Sequence, residues 1–127
     1  MISALLAVDN PSRLVYKPWG YEIIWAHTNS YVGKILHIKK GESLSRQYHQ
    51  VKEETIRVIS GHLRLEIGDP NSTNIIFFVL DMFVGDVYHI SPGTIHRMVG
   101  AQDTDIVEVS TCELDDIVRL EDNYGRV

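Results

Sequence analysis

Four side chains in this sequence have donor types and spacing suited to metal chemistry. Gln47 and His49 stand two residues apart, Glu54 follows shortly after, and His96 lies far along the chain. On a strand, two residues of separation place Gln47 and His49 on one face, about 7 Å apart along the chain. Imidazole and carboxylate donors suit divalent Zn, Mn, Fe, Co or Ni, and a glutamine amide oxygen can join them. Glycines frame these residues: Gly41 and Gly61 enclose the first three, while Gly85 and Gly93 precede His96. Glycine provides the positive-φ backbone that strand ends often need. A single histidine on a strand is more often a hydrogen-bonded polar residue than a ligand, so spacing by itself leaves open whether these groups meet. His27, His37 and His62 lack such framing and read as surface or structural. His89 sits just ahead of Gly93, where it could line the mouth of a site.

Strands must position these groups. Runs rich in Ile, Val and Tyr cover Glu22–Ala26, Val32–Ile38, Ile56–Ile59, Leu63–Ile67, Ile75–Leu80, Val87–Ile90, Ile95–Val99 and Asp105–Val109. Turn signals follow them, including Lys39-Lys40-Gly41, Ser60-Gly61, Gly68-Asp69-Pro70-Asn71 and Ser91-Pro92-Gly93. Short strands at this spacing with Gly/Pro punctuation predict an all-β sandwich or barrel. The middle of the chain has no helical periodicity. Glu113–Leu120 reads as a helical turn or a last strand, and Val15–Trp25 as a strand near the start. Residues 1–14 are expected to form an N-terminal arm and residues 15–127 the domain. Alternation puts Lys34, Leu36 and Ile38 on one face, with Ile35 and His37 opposite. It likewise groups Ser45, Gln47 and His49, and Glu54, Ile56 and Val58. Polar groups that face inward beside apolar ones are costly unless they find partners.

Composition bounds the function. A chain of 127 residues is one domain, with no room for a second catalytic unit. Twelve Lys+Arg against seventeen Asp+Glu give a net charge of −5. That balance argues against a duplex nucleic-acid partner. It leaves room for a small anionic ligand in a locally basic pocket. The lone Cys112 excludes an internal disulfide and a cysteine-rich zinc site. The apolar run Ala4–Val8 is short for a signal peptide, and no stretch approaches a membrane span. The expectation is a cytoplasmic protein with no membrane partner.

The spacings G-x(5)-Q-x-H-x(4)-E-x(6)-G from Gly41 to Gly61, and Gly85 through Gly93 to His96, resemble the two paired motifs of the cupin superfamily. Gln47 stands where a first histidine is usual, and Ser91 where a first proline is usual. The resemblance implies a single-domain double-stranded β-helix (jelly-roll) barrel. In it Glu54 returns on a neighbouring strand and His96 arrives from the second motif. The flanks narrow the match. KPWGYEIIW from Lys17, KILHIKKGESLSRQYH from Lys34, GTIHR from Gly93 and EVSTCELDDIVRLEDNYGR from Glu108 resemble the C-terminal cupin domain of type II mannose-6-phosphate isomerases. That resemblance covers about residues 16–126. It implies one divalent metal held by Gln47, His49, Glu54 and His96. It also implies interconversion of mannose 6-phosphate and fructose 6-phosphate through a cis-enediol. The nucleotidyltransferase half of the bifunctional members of that family is absent from this sequence.

Such chemistry needs a proton carrier and a cation for the phosphate. Lys52, Glu53 and Arg119 are the catalytic candidates, and Lys34, Arg97 and His89 the substrate-binding ones. Alternation places Arg97 on the face opposite His96. The resembling enzymes usually carry a His-His-Arg-Ala-Glu-His run at the metal-binding turn, where this chain has Gln50-Val51-Lys52-Glu53-Glu54-Thr55. These departures keep two further readings open: a non-catalytic sugar- or metabolite-binding cupin, and an Fe(II) cupin oxygenase. Tyr16, Trp19 and Tyr21 could stack on a sugar or pack a core. Small cupins often exchange N-terminal strands, so a homodimer through Ile2–Val8 and Val15–Trp25 is expected.

Overall fold

The computed structural model describes residues 12–69 and 77–127, and these form strands and turns only. The strands are β1 (Arg13–Lys17), β2 (Gly20–His27), β3 (Val32–Ile38), β4 (Arg46–Tyr48), β5 (Glu54–Ser60), β6 (His62–Gly68), β7 (Phe77–Phe83), β8 (Val87–Ile90), β9 (His96–Gly100), β10 (Thr104–Ser110) and β11 (Val118–Glu121). They pair antiparallel into a six-stranded sheet, β1-β2-β3-β10-β5-β8, and a five-stranded sheet, β11-β4-β9-β6-β7. This is the all-β jelly-roll architecture expected. Among the described residues, no helix is long and apolar enough to cross a membrane.

The core lies between the sheets. Leu36, Ile38, Ile56, Val58 and Ile106 come from the six-stranded sheet, and Leu63, Leu65, Ile67, Met82 and Met98 from the other. Leu63 and Leu65 are fully buried, and truncating either to alanine costs about 2–5 kcal/mol. The chain changes sheets between β5 and β6 at Gly61, whose φ is +88°. A Cβ there would lie 2.2 Å from the Asp103 carbonyl oxygen, so only glycine allows that crossing.

Alternation sets the rows that matter for the site. Arg13, Ile24, Lys34, Glu108 and Ile56 lie opposite one another across β1, β2, β3, β10 and β5. On the other sheet, Arg119, Gln47 and His96 form a row across β11, β4 and β9. Paired residues in a ladder project to the same face, so both rows face the interior.

Several boundaries differ from expectation. The segment Val15–Trp25 is a hairpin turning at Pro18-Trp19, because Pro18 lacks the N–H that an unbroken strand would use. Strand β1 begins at Arg13, inside the stretch expected to be an arm. Glu113–Leu120 resolves into turns followed by β11. The apolar run from Ile75 reaches the described residues only at Phe77. The arm's residues Ile2–Val8, and with them the expected strand exchange, lie outside the described residues.

Candidate metal centre

Three strand ends converge. His49 directly follows β4, Glu54 opens β5, and His96 opens β9 beside Gln47. The Nε2 atom of His49 lies 3.5 Å from Glu54 Oε1, and that of His96 lies 3.4 Å from the same oxygen. All three atoms are buried and have no hydrogen-bond partner. They lie within 4.8 Å of one another. Each imidazole is oriented from its far side: His49 Nδ1 donates to the Asp116 carbonyl at 2.6 Å, and His96 Nδ1 to the Thr94 carbonyl at 2.9 Å. With the proton on Nδ1, the Nε2 lone pair points at the convergence. Two lone pairs and a carboxylate oxygen buried face to face repel one another unless a positive charge, a proton or a metal ion, lies between them. The residues therefore fit a divalent metal. Gln47 is buried on the same wall, and its Oε1 accepts from Ser45 Oγ at 2.6 Å. An amide oxygen has two lone pairs, so one remains to donate.

The C-terminal segment holds the turn that carries these groups. The Asp116 carboxylate accepts the backbone N–H groups of Gln50, Val51 and Lys52 at 3.0, 2.7 and 2.9 Å. Those three bonds, in the order Gln50, Lys52, Val51, lower the Asp116 pKa to about 2. Further along, Asp122 receives the Arg126 side chain, Tyr124 bonds Glu42, and Asn123 bonds Ser43. The segment DDIVRLEDNYGR is thus a strap across the loop before β4 and the turn after it.

A cavity of about 300 Å³ opens over Gln47, His49 and Glu54. Its opposite wall carries a ladder of alternating charges. Lys34 Nζ lies 3.5 Å from Glu22, and Lys52 Nζ lies 3.1 Å from Glu54 and 3.4 Å from Glu108. Burial opposes the charge on Glu54, but the His49 and His96 rings and the Lys52 ammonium outweigh it and hold its carboxyl well below the usual range. Glu108 goes the other way: burial, then the neighbouring Glu54 charge, push it up to about 7 against the pull of Lys52 and Lys34. Two carboxylates share one lysine, and the one nearer the imidazoles keeps its charge. Burial works against the Lys52 ammonium too, yet Glu108 and Glu54 raise its pKa overall.

Of the residues singled out in the sequence, Gln47, His49, Glu54, His96, Lys34, Lys52 and Arg119 come to this region. Arg97, His89 and Glu53 do not. Arg97 points away from the cavity and grips Glu66, Nε at 2.9 Å and Nη2 at 3.2 Å. Period-two alternation accounts for that direction, since His96 takes the inner face. His89 and Glu53 pair with each other at 2.6 Å on the exposed surface. Trp19 is buried on the cavity wall, Tyr16 is exposed, and Tyr21 stacks on His37. Sequence reasoning missed Glu22, Glu108, Asp116 and Arg13. The inward alternation of Thr104, Ile106 and Glu108 was the available signal for Glu108.

Comparison with known proteins places this chain in a family. The family model described as "Mannose-6-phosphate isomerase C-terminal" matches residues 8–122. The chain belongs to this family. It is similar to a protein of Salmonella typhimurium named mannose-1-phosphate guanylyltransferase ManC, with 36% identity over 121 residues, 91% of this chain and 23% of that protein. The chain thus spans about a quarter of the length of the curated relatives it matches. Among solved structures it resembles oxalate decarboxylase from Bacillus subtilis, with a TM-score of 0.73 and 15% identity over 90% of this chain and 33% of that one. It also resembles a Klebsiella pneumoniae protein described as having a double-stranded β-helix domain, with a TM-score of 0.64 and 18% identity over 94% of each chain. These likenesses establish the cupin fold.

Proposed function

We propose that this chain is a metal-dependent isomerase that interconverts mannose 6-phosphate and fructose 6-phosphate. The observation that supports this reading best is the convergence of three orphaned buried donors, His49 Nε2, Glu54 Oε1 and His96 Nε2, at the base of a polar cavity. Those residues, with Gln47, would hold a divalent cation. Bound there, the cation supplies polarisation of a sugar carbonyl and charge stabilisation for an enediolate. The protein supplies the rest. Lys52 places a fixed ammonium beside Glu54 and Glu108, where it can donate to a sugar oxygen. Glu108 Oε2, buried on the cavity wall 3.4 Å from Lys52 Nζ, is the group assigned to carry the proton between C1 and C2. Glu53 faces away and has no part in the step.

The departures from the usual turn sequence weigh less than they do in the bare sequence. Gln50 and Val51 are exposed, Thr55 lies on the outer face of β5, and none of the three lines the cavity. Lys52 does line it and keeps the cationic character there.

A coupled isomerase assay on protein of measured metal content tests the proposal. Turnover of mannose 6-phosphate that disappears on chelation and returns with metal is the expected result. Metal-loaded protein that binds the sugar phosphate without converting it would sink the isomerase reading and leave a binding cupin. Metal-dependent dioxygen consumption would point to the oxygenase instead.

A further inference from the structure

The cavity has a second chemical end. Six cations line it: Arg13, Lys17, Lys34, Lys52, Arg119 and Arg126. Four are neutralised in place. Lys17 and Lys34 share Glu22 at 3.9 and 3.5 Å, Lys52 sits between Glu54 and Glu108, and Arg126 forks onto Asp122 at 2.9 and 2.8 Å. Arg13 and Arg119 have no carboxylate partner among the described residues. The Nε atom of Arg119 is buried without a hydrogen bond.

The topology aims both at one opening. Strand β1 is an edge of the six-stranded sheet and β11 an edge of the five-stranded sheet. Arg13 shares the inward row of Ile24 and Lys34. Arg119 lies opposite Gln47, which lies opposite His96. Two strand spacings put the Arg119 backbone about 10 Å from that of His96. Arg119 thus lines the same cavity two strands away from His96, within a side chain's reach of a ligand that spans the two.

We propose that Arg13 and Arg119 form a two-sided clamp for a phosphate dianion, which holds the phosphate of the substrate while its carbonyl end sits at His49, Glu54 and His96. The identity of the sugar rests on the isomerase reading; the preference for a dianion rests on the two arginines. Guanidinium forks match phosphate oxygens bidentately. Binding here breaks no existing ion pair, whereas phosphate binding at Lys34 would have to compete with Glu22. A chain of net charge −5 also repels dianions unless such a local pair attracts them.

The test uses the whole chain and three probes: inorganic phosphate followed by phosphorus NMR, and mannose 6-phosphate and mannose followed by calorimetry. Wild type should bind inorganic phosphate. Arg13→Gln and Arg119→Gln should each weaken both phosphate and mannose 6-phosphate by about tenfold, the loss of one charge-assisted contact. Mannose binding and metal content should stay as in wild type. Arg119→Lys keeps the charge without the fork and should lose less, which also covers the case that Arg119→Gln does not fold. Failure of wild type to bind phosphate, or phosphate binding untouched by both glutamine variants, overturns the clamp. If the arginines govern phosphate binding but mannose 6-phosphate is never isomerised, the clamp stands and the isomerase reading alone falls.

Discussion

The two sheets face one cavity but treat their polar groups in opposite ways. On the six-stranded wall, the charges of Glu22, Lys34 and Glu108, with the neighbouring Lys52, neutralise one another. On the five-stranded side, Gln47, His96 and Arg119, with His49 beside them, keep donor or acceptor capacity unused. A paired charge contributes field and shape, but recruiting it for a ligand means breaking its pair inside a desolvated pocket. An unpaired donor in the same pocket already carries the cost of desolvation, and a ligand relieves it. A ligand that uses Lys52 or Glu108 must therefore compete with their pairing, whereas the second wall, with Arg13 at the edge of the first, offers groups that are already free. Glu54 stands at the join, first residue of a strand in one sheet yet aimed at the imidazoles of the other side.

The contrast between the two walls depends most on the unpaired donors holding a metal. His49→Ala combined with His96→Ala should take metal content from about one ion per chain to none, read by elemental analysis of the purified protein; retained stoichiometric metal would disprove the site. The paired wall is tested next. Lys52→Met leaves Glu54 and Glu108 buried without their shared cation, and metal-free protein should lose about 3 kcal/mol of unfolding free energy in urea. No loss would mean that the ladder is not a structural pairing. A smaller effect sharpens the distinction between ligand and support. Asp116→Asn removes no ligand but loosens the turn beside His49, and metal affinity measured by competitive chelation should fall about 10–100-fold.

The smallest effect lies outside the cavity, in the strap. Arg126 holds the folded-state pKa of Asp122 near 2, against 3.8 for the free group. Its contribution to stability is complete above about 3.8 and is lost as pH falls through about 2. A carboxyl-carbon NMR titration should place its midpoint near the lower value, and Asp122→Asn should flatten that part of the melting-temperature profile.

Much of this was legible in the residues. The resemblance of the spacings around Gly41, Gly61 and Gly93 to the paired cupin motifs singled out His49, Glu54 and His96. Alternation within Val32–Ile38 grouped Lys34 with Leu36 and Ile38, the face that the structure buries, and alternation after His96 set Arg97 on the opposite face. What stayed hidden depends on strand order, which no local pattern encodes. Glu108 matters because β10 lies between β3 and β5, bringing it opposite Lys34 and beside Lys52. Arg13 lay in a segment whose turn at Pro18-Trp19 could equally have ended an arm. Asp116 acts across a separation of more than sixty residues, so only the assembled fold reveals what it holds.

The bond from His49 to the Asp116 carbonyl has a consequence for how the protein is made. By the time residue 96 has left the ribosome, every proposed ligand has been synthesised, yet the first imidazole still lacks the acceptor that fixes its proton. The site is completed only when residue 116 and the strand behind it emerge. A nascent chain paused between those points carries all four side chains with one imidazole unaimed, so the arrangement is completed only by the segment around residue 116.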